Sequence, residues 1–304
     1  MTVDEAGFVR ALCFYDACGM APTRTELWTS FDTGSSVSFV ADRAHLQQVF
    51  NELLNGSLVR EQRGRIVFAG RETLIAEHER RLRFMPRKWR RARSAAQWLR
   101  RLEGVRAICV CNTTSVDHAG DDSDVDFFVV TRVGALWQTR ACATLPFKLT
   151  GQRPGDEGNV IDPICLSFFM DDTRLDLTRV ALSDDPYLRH WFLSLNPLFD
   201  DGVLAVLWEQ NTNLRQRHPL AYPWTVSAMR LMTRPRFRLP MAQQLEAFAQ
   251  QLQEPRLPKT IREVANRDTC VMVDEHILKL HVQDGRTRVR EAYRAACERY
   301  GVES

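Results

Sequence analysis

Asp122-Ser123-Asp124-Val125-Asp126-Phe127-Phe128-Val129-Val130 is the stretch on which the fold turns. Two acids stand two residues apart, and a run of β-favouring apolar residues follows at once. In a strand, residues i and i+2 share a face. Asp124 and Asp126 therefore look out one side, while Val125 and Phe127 enter the core on the other. Two oxygen-ligand groups at a strand edge suit a hard divalent cation such as Mg²⁺. A metal held there can organise phosphates for phosphoryl or nucleotidyl transfer. The plainer alternative is a solvated turn, and the surroundings must choose between them.

Upstream, Gly104-Val105-Arg106-Ala107-Ile108-Cys109-Val110-Cys111 is a short apolar strand. A polar loop, Asn112 to Ser123, joins it to the acidic strand. Strand, small polar loop and Asp-x-Asp strand together resemble the core of the DNA polymerase beta-type nucleotidyltransferase superfamily. In that family a Gly-Ser pair ends the first strand and holds the triphosphate, and the Asp-x-Asp pair binds Mg²⁺. The resemblance implies an α/β (α+β) fold with a mixed sheet and flanking helices. It implies Asp124 and Asp126 as catalytic metal ligands, and Asn112, Thr113 and Ser123 as the phosphate-side residues, with an NTP, ATP foremost, as substrate. Two departures stand out. Asn112 has a Cβ where Gly allows close approach, and Asp117 brings negative charge to a loop that would meet phosphate.

Relatives with a third acid place it on the next strand, read here as Val160 to Met170. Ser167 occupies the middle of that strand. Asp162 at its start and Asp171-Asp172 at its end are the nearby carboxylates. Asp162 is the further candidate metal ligand, and Asp171-Asp172 reads as a polar turn. Between the acidic strand and this one, Gly134-Ala135-Leu136-Trp137-Gln138-Thr139-Arg140 leads into a helix, Leu136 to Leu145, a run that resembles one in a bacterial subfamily of that superfamily with an N-terminal winged-helix domain.

The opening 70 residues resemble a winged helix. Helices are expected over Glu5–Asp16, Arg24–Ser30 and Ala44–Leu58, the last stopped by Asn55-Gly56, with a hairpin around Arg63-Gly64. Such a module binds DNA or serves as a docking element, and fold does not decide which. Residues 1–70 hold six Arg/Lys and eight Asp/Glu, against the basic face of a DNA reader. The charge lies next door: residues 71–104 hold eleven Arg/Lys and four Glu, a net +7. Pro86 should end one helix and begin another. In the second, Trp89, Ala92, Ala96, Leu99 and Leu102 make an apolar stripe. This basic helix is either packed on the catalytic sheet or a cationic rim for NTP or RNA.

The chain thus divides into a winged-helix-like segment (1–70), a basic helical linker (71–103), a nucleotidyltransferase-like core (104–180) and a mostly helical remainder (181–304). Helices are expected over Pro186–Leu193, Gly202–Asn211 and Met241–Gln253, with Asn196-Pro197 as punctuation. Pro219 to Arg238 interleaves aromatics with Arg230, Arg234, Arg236 and Arg238, either a basic surface or a nucleotide platform. The segment Leu278-Lys279-Leu280-His281 to Arg290 is similar to one that closes related winged-helix proteins. It makes Lys279, His281, Arg286 and Arg288 candidate phosphate contacts, unless His281 and Asp284 fix a turn.

Net charge is +3 over 304 residues, a balance that names no partner. The acidic Met-Thr-Val-Asp-Glu start is no signal peptide, and no apolar run reaches membrane-helix length. Eight Cys without Cys-x-x-Cys pairing read as reduced thiols, hence a cytoplasmic protein without membrane contact. Two functions remain. One is a Mg²⁺-dependent nucleotidyltransferase acting on a small molecule, protein or tRNA. The other is a degenerate scaffold that binds nucleotide, protein or nucleic acid through the core and winged helix.

Overall fold

The computed structural model describes residues 1–34, 42–154, 160–224, 231–235, 237–240, 243–282 and 284–304. The chain is mixed α/β. Helix α1 (Val3–Ala17) opens with a capping box between Thr2 and Glu5, and α2 (Arg24–Thr29) repeats the device with Thr23 and Glu26. Helix α3 (Arg43–Asn55) stops at Gly56. Strands β1 (Val59–Gln62) and β2 (Arg65–Phe68) pair antiparallel around Arg63 and Gly64. Both turn residues have positive φ, 54° and 73°, which matches the right-handed twist of a two-residue hairpin. The three helices and the hairpin expected of this segment are therefore present.

Helix α4 (Thr73–Leu82) gives way to α5 (Met85–Leu99), with Pro86 in the first turn of the latter. The predicted stripe of α5 is its buried face: Ala92, Ala96, Leu99 and the following Leu102 are fully buried, with Trp89 packed beside them. Strand β3 (Val105–Val110) follows. Gly104 is required at its start, because a Cβ there would lie 2.0 Å from Thr139 Oγ1. The four-residue α6 (Asn112–Ser115) and a loop lead to β4 (Val125–Thr131), then α7 (Leu136–Leu149) crosses to β5 (Ile164–Asp171), parallel to β4. Helix α7 runs a turn beyond its expected end, through Pro146. Strand β5 begins four residues later than expected, after Asp162 turns the backbone at φ 53°.

The remainder comprises α8 (Pro186–Leu193), β6 (Asn196–Asp200), α9 (Leu204–Gln210), α10 (Thr212–Arg215), α11 (Glu246–Gln253), α12 (Lys259–Val264), β7 (Val271–Val273), β8 (Ile277–Leu280) and α13 (Arg286–Tyr300). The sheet order is β6-β3-β4-β5-β8-β7. The region read as mostly helical thus supplies three of the six strands. Asn196-Pro197, expected as punctuation, opens the edge strand β6, a position where proline's missing N–H costs no ladder bond. The start of the helix expected at Met241 lies outside the described residues.

The sheet has a core on each face. Val125, Phe127 and Val129 pack with α5 and α7. Phe128, Val130, Phe168 and Met170 pack with α8 and α9. A third core joins α1, α2, α3 and the hairpin to Tyr293, Ala296 and Cys297 of α13. The last helix therefore completes the core of the first segment.

Candidate functional site

Asp126 shares the face of Phe128 and Val130, at the end of β4 where the α8-side core gives out, and Asp124 precedes it by two residues. Val125 and Phe127 point the other way and are buried, as the alternation requires. Two residues of extended chain set their backbones about 7 Å apart. Neither is ion-paired to an Arg, Lys or His among the described residues, although Asp121, Asp162, Asp171, Asp172, Asp184, Asp185 and Asp201 all are. Burial, reinforced by the charge of Asp126 and opposed by Lys88, pushes the Asp124 carboxyl up to about 6. Like-charge repulsion at a half-buried site is relieved by a proton or a cation.

The next strand continues this face. Cys165 is the cross-strand neighbour of Asp126. Burial and then the Asp126 charge push its thiol well above the usual range. Ser167 shows the same parity and meets His281, with Oγ and Nε2 3.1 Å apart. Burial holds His281 below the ordinary imidazole value, while the charge of Asp126 pulls it back up. Asp126, Cys165, Ser167 and His281 thus converge. Ser167 occupies the place where a third acid was sought, and a histidine reaches it from the strand beyond.

Asn112 begins α6 with φ 55°, in the left-handed region. Glycine enters that region freely, and asparagine is among the residues that follow it. The residue expected to spoil a Gly-type turn therefore adopts a Gly-type conformation. Its Oδ1 accepts from Tyr187 Oη at 3.1 Å. Thr113 is exposed. Ser123 Oγ accepts from Gly120 N at 2.9 Å. Asp117 accepts from Trp89 Nε1 at 2.7 Å, which accounts for this acid in the loop.

A cavity of about 250 Å³ is lined by Asn112, Tyr187, Trp191, Lys279, His281 and Arg288, among others. It brings together three of the residues read from sequence, Asn112, Lys279 and His281. Lys279 is already engaged: its Nζ donates to Thr269 O (2.7 Å), Cys270 O (3.1 Å) and Asp284 Oδ2 (3.1 Å). All three ammonium protons are used, so it lends charge rather than a donor. Arg286 is likewise bound to Asp284 and Asp185. Arg288 is exposed and makes no hydrogen bond or ion pair among the described residues.

Asp162, unlike the pair, has basic partners. Its carboxylate is buried and accepts from Lys88 Nζ at 2.7 Å and Arg87 Nε at 2.6 Å. That arrangement makes it the counter-ion of α5 and leaves little room for a metal. Three cations of this helix, Arg87, Lys88 and Arg91, hold residues 121–123 and 162. Asp171 is bound to Thr173 and His276, and Asp172 to Arg106 and the Val133 N–H; both serve structure. Arg234 and Arg238 pair with Asp201. Trp224 is buried and donates to Phe192 O at 3.0 Å, so it is no exposed platform. Arg230, Arg236 and Gln283 lie outside the described residues.

All eight cysteines are free thiols. Among the described residues no helix is long and apolar enough to cross a membrane. Compared with known proteins, the chain matches no family model, no curated protein and no solved structure.

Proposed function

We propose that this protein is a Mg²⁺-dependent nucleotidyltransferase of the DNA polymerase beta type, with a winged-helix domain in front of the catalytic core. One observation carries the reading: Asp124 and Asp126 are two neighbouring, partly buried carboxylates without a basic partner, whereas most of the other aspartates among the described residues are ion-paired. The donor set suits Mg²⁺, which takes one or two carboxylates and fills its shell with water and substrate oxygens. Bound there, the ion would neutralise phosphate charge and polarise the α-phosphate. The chain's own residues would do the rest by positioning. Asn112 turns the backbone toward the phosphates, Arg288 supplies an exposed cation, and His281 with Ser167 faces the acceptor side of Asp126.

The second reading is a scaffold that binds nucleotide without turnover. Ser167, standing where a third carboxylate was sought, favours it. Incubation with Mg²⁺ and each NTP, with pyrophosphate release as readout and Asp124→Asn and Asp126→Asn as controls, separates the two. The enzyme reading predicts release that both substitutions abolish. Nucleotide binding without release selects the scaffold, and no NTP binding at all removes both.

A further inference from the structure

A second cavity, about 370 Å³, lies between α1, the α6 loop, α8 and α13. Its walls include Phe14, Tyr187, Trp191, His118 and His190. It adjoins the Lys279–His281 cavity: Asn112, Tyr187, Trp191, Arg288 and Val289 line both. It is therefore built jointly by the N-terminal helix, the last helix and the sheet domain.

Two polar features set it apart from a packing defect. The His190 ring is stacked on Phe14, with centroids 3.6 Å apart and planes 3° from parallel. It is only 8 % exposed, yet its side chain has no hydrogen-bond partner among the described residues. His118 is 3 % exposed and bonded through Nδ1 to His78 Nδ1 at 3.1 Å, which leaves Nε2 for the cavity. Burial holds both cavity histidines below the ordinary imidazole value, so both are neutral: His118 has one nitrogen left to donate or accept, and His190 has one donor and one acceptor. The free nitrogens of these two rings are not sealed from solvent, so a ligand there would take the place of water as the hydrogen-bond partner. Aromatic walls, neutral hydrogen-bonding edges and an exposed Arg at the mouth together describe a complementary ligand.

We propose that this cavity binds a neutral planar heteroaromatic ring of nucleobase type, carrying an anionic group that reaches Arg288 at the junction of the two cavities. The ring can belong to the nucleotide donor or to the acceptor; the shared chemistry is the same. The site needs no turnover at Asp124 and Asp126, so it stands or falls separately from nucleotidyl transfer.

The test is calorimetric titration of the full chain, without divalent metal, with adenosine, guanosine, cytidine and uridine, their 5′-monophosphates, and indole as an apolar ring control. At least one nucleoside should bind, and its monophosphate more tightly. Arg288→Ala, an exposed change that spares the core, should remove about tenfold of the monophosphate's affinity and leave the nucleoside's unchanged. His190→Phe keeps the stack on Phe14 and should weaken both ligands about equally. A ring supplied by the donor then predicts that Mg²⁺-NTP competes with the nucleoside, and a ring supplied by the acceptor predicts that both bind together. The proposal is overturned if no nucleoside or monophosphate binds. It is equally overturned if binding survives both substitutions, or if indole binds as well as the nucleosides and His190→Phe does not discriminate.

Discussion

Lys88 Nζ lies 2.7 Å from Asp162 Oδ1, with both side chains buried, and the same ammonium donates to Ser123 O at 2.5 Å. One lysine thus ties the basic helix, the start of β5 and the residue just before Asp124. Removing one partner of a buried pair strands the other charge and costs about 3–5 kcal/mol. Lys88→Met should lower stability by that order in denaturant unfolding. Lys88→Met with Asp162→Asn should cost clearly less than the two single effects added, because the pair is lost once.

Asp124 gives a pH signature. Its folded pKa of about 6 lies above the ordinary 3.8, so between those values the native state holds the extra proton. Stability from this group is full below about pH 4 and falls as pH rises through 6. Asp124→Asn should therefore stabilise the metal-free protein near neutrality, by about 1 kcal/mol after allowance for solvent screening, and change nothing near pH 4. The melting temperature of both proteins against pH checks this. Mg²⁺ should raise the melting temperature of the parent and leave the variant unmoved.

Asn112 separates conformation from chemistry. Asn112→Gly keeps a φ of 55° available and should fold with near-parental stability, losing only the bond from Tyr187. Asn112→Val forces a β-branched residue into the left-handed region and should cost about 2 kcal/mol. If the turn faces phosphates, the glycine variant should retain pyrophosphate release and the valine variant should lose it, in parallel assays at saturating Mg²⁺.

Acid should act elsewhere. Asp32 is buried; burial alone would raise its pKa, but the charges of His218 and Arg217 and the Arg217 bonds hold it well below the usual carboxylate range. A depressed folded pKa gives stability that is present above about pH 4 and lost as pH falls further. Asp32→Asn should be less stable at neutrality and should show a flatter loss between pH 4 and pH 2 than the parent. Urea midpoints across that window measure it.

The acidic strand, the strand before it and the N-terminal helices and hairpin were legible because local patterning fixes them. Alternation put Val125 and Phe127 inward, and the positive φ of Gly64 is written in the residue type. Strands β6, β7 and β8 were not legible, because short edge and near-edge strands are held by partners distant in sequence rather than by their own pattern. Site residues divide the same way. Asp124 and Asp126 follow from spacing, whereas the engagement of Asp162 by Lys88, or of Lys279 by Asp284, depends on which charge arrives from another element. The pairing of His281 with Ser167, 114 residues apart, and the His190 cavity have no sequence signal beyond the residues themselves.

The packing of Tyr293, Ala296 and Cys297 against Phe8 and Leu12 sets a timetable. At about 5–20 residues per second, a ribosome needs roughly 15 to 60 seconds between making α1 and making α13. For that interval the opening helices expose an unfinished apolar face. Chaperone occupancy on newborn chains should therefore persist until the last helix has been made.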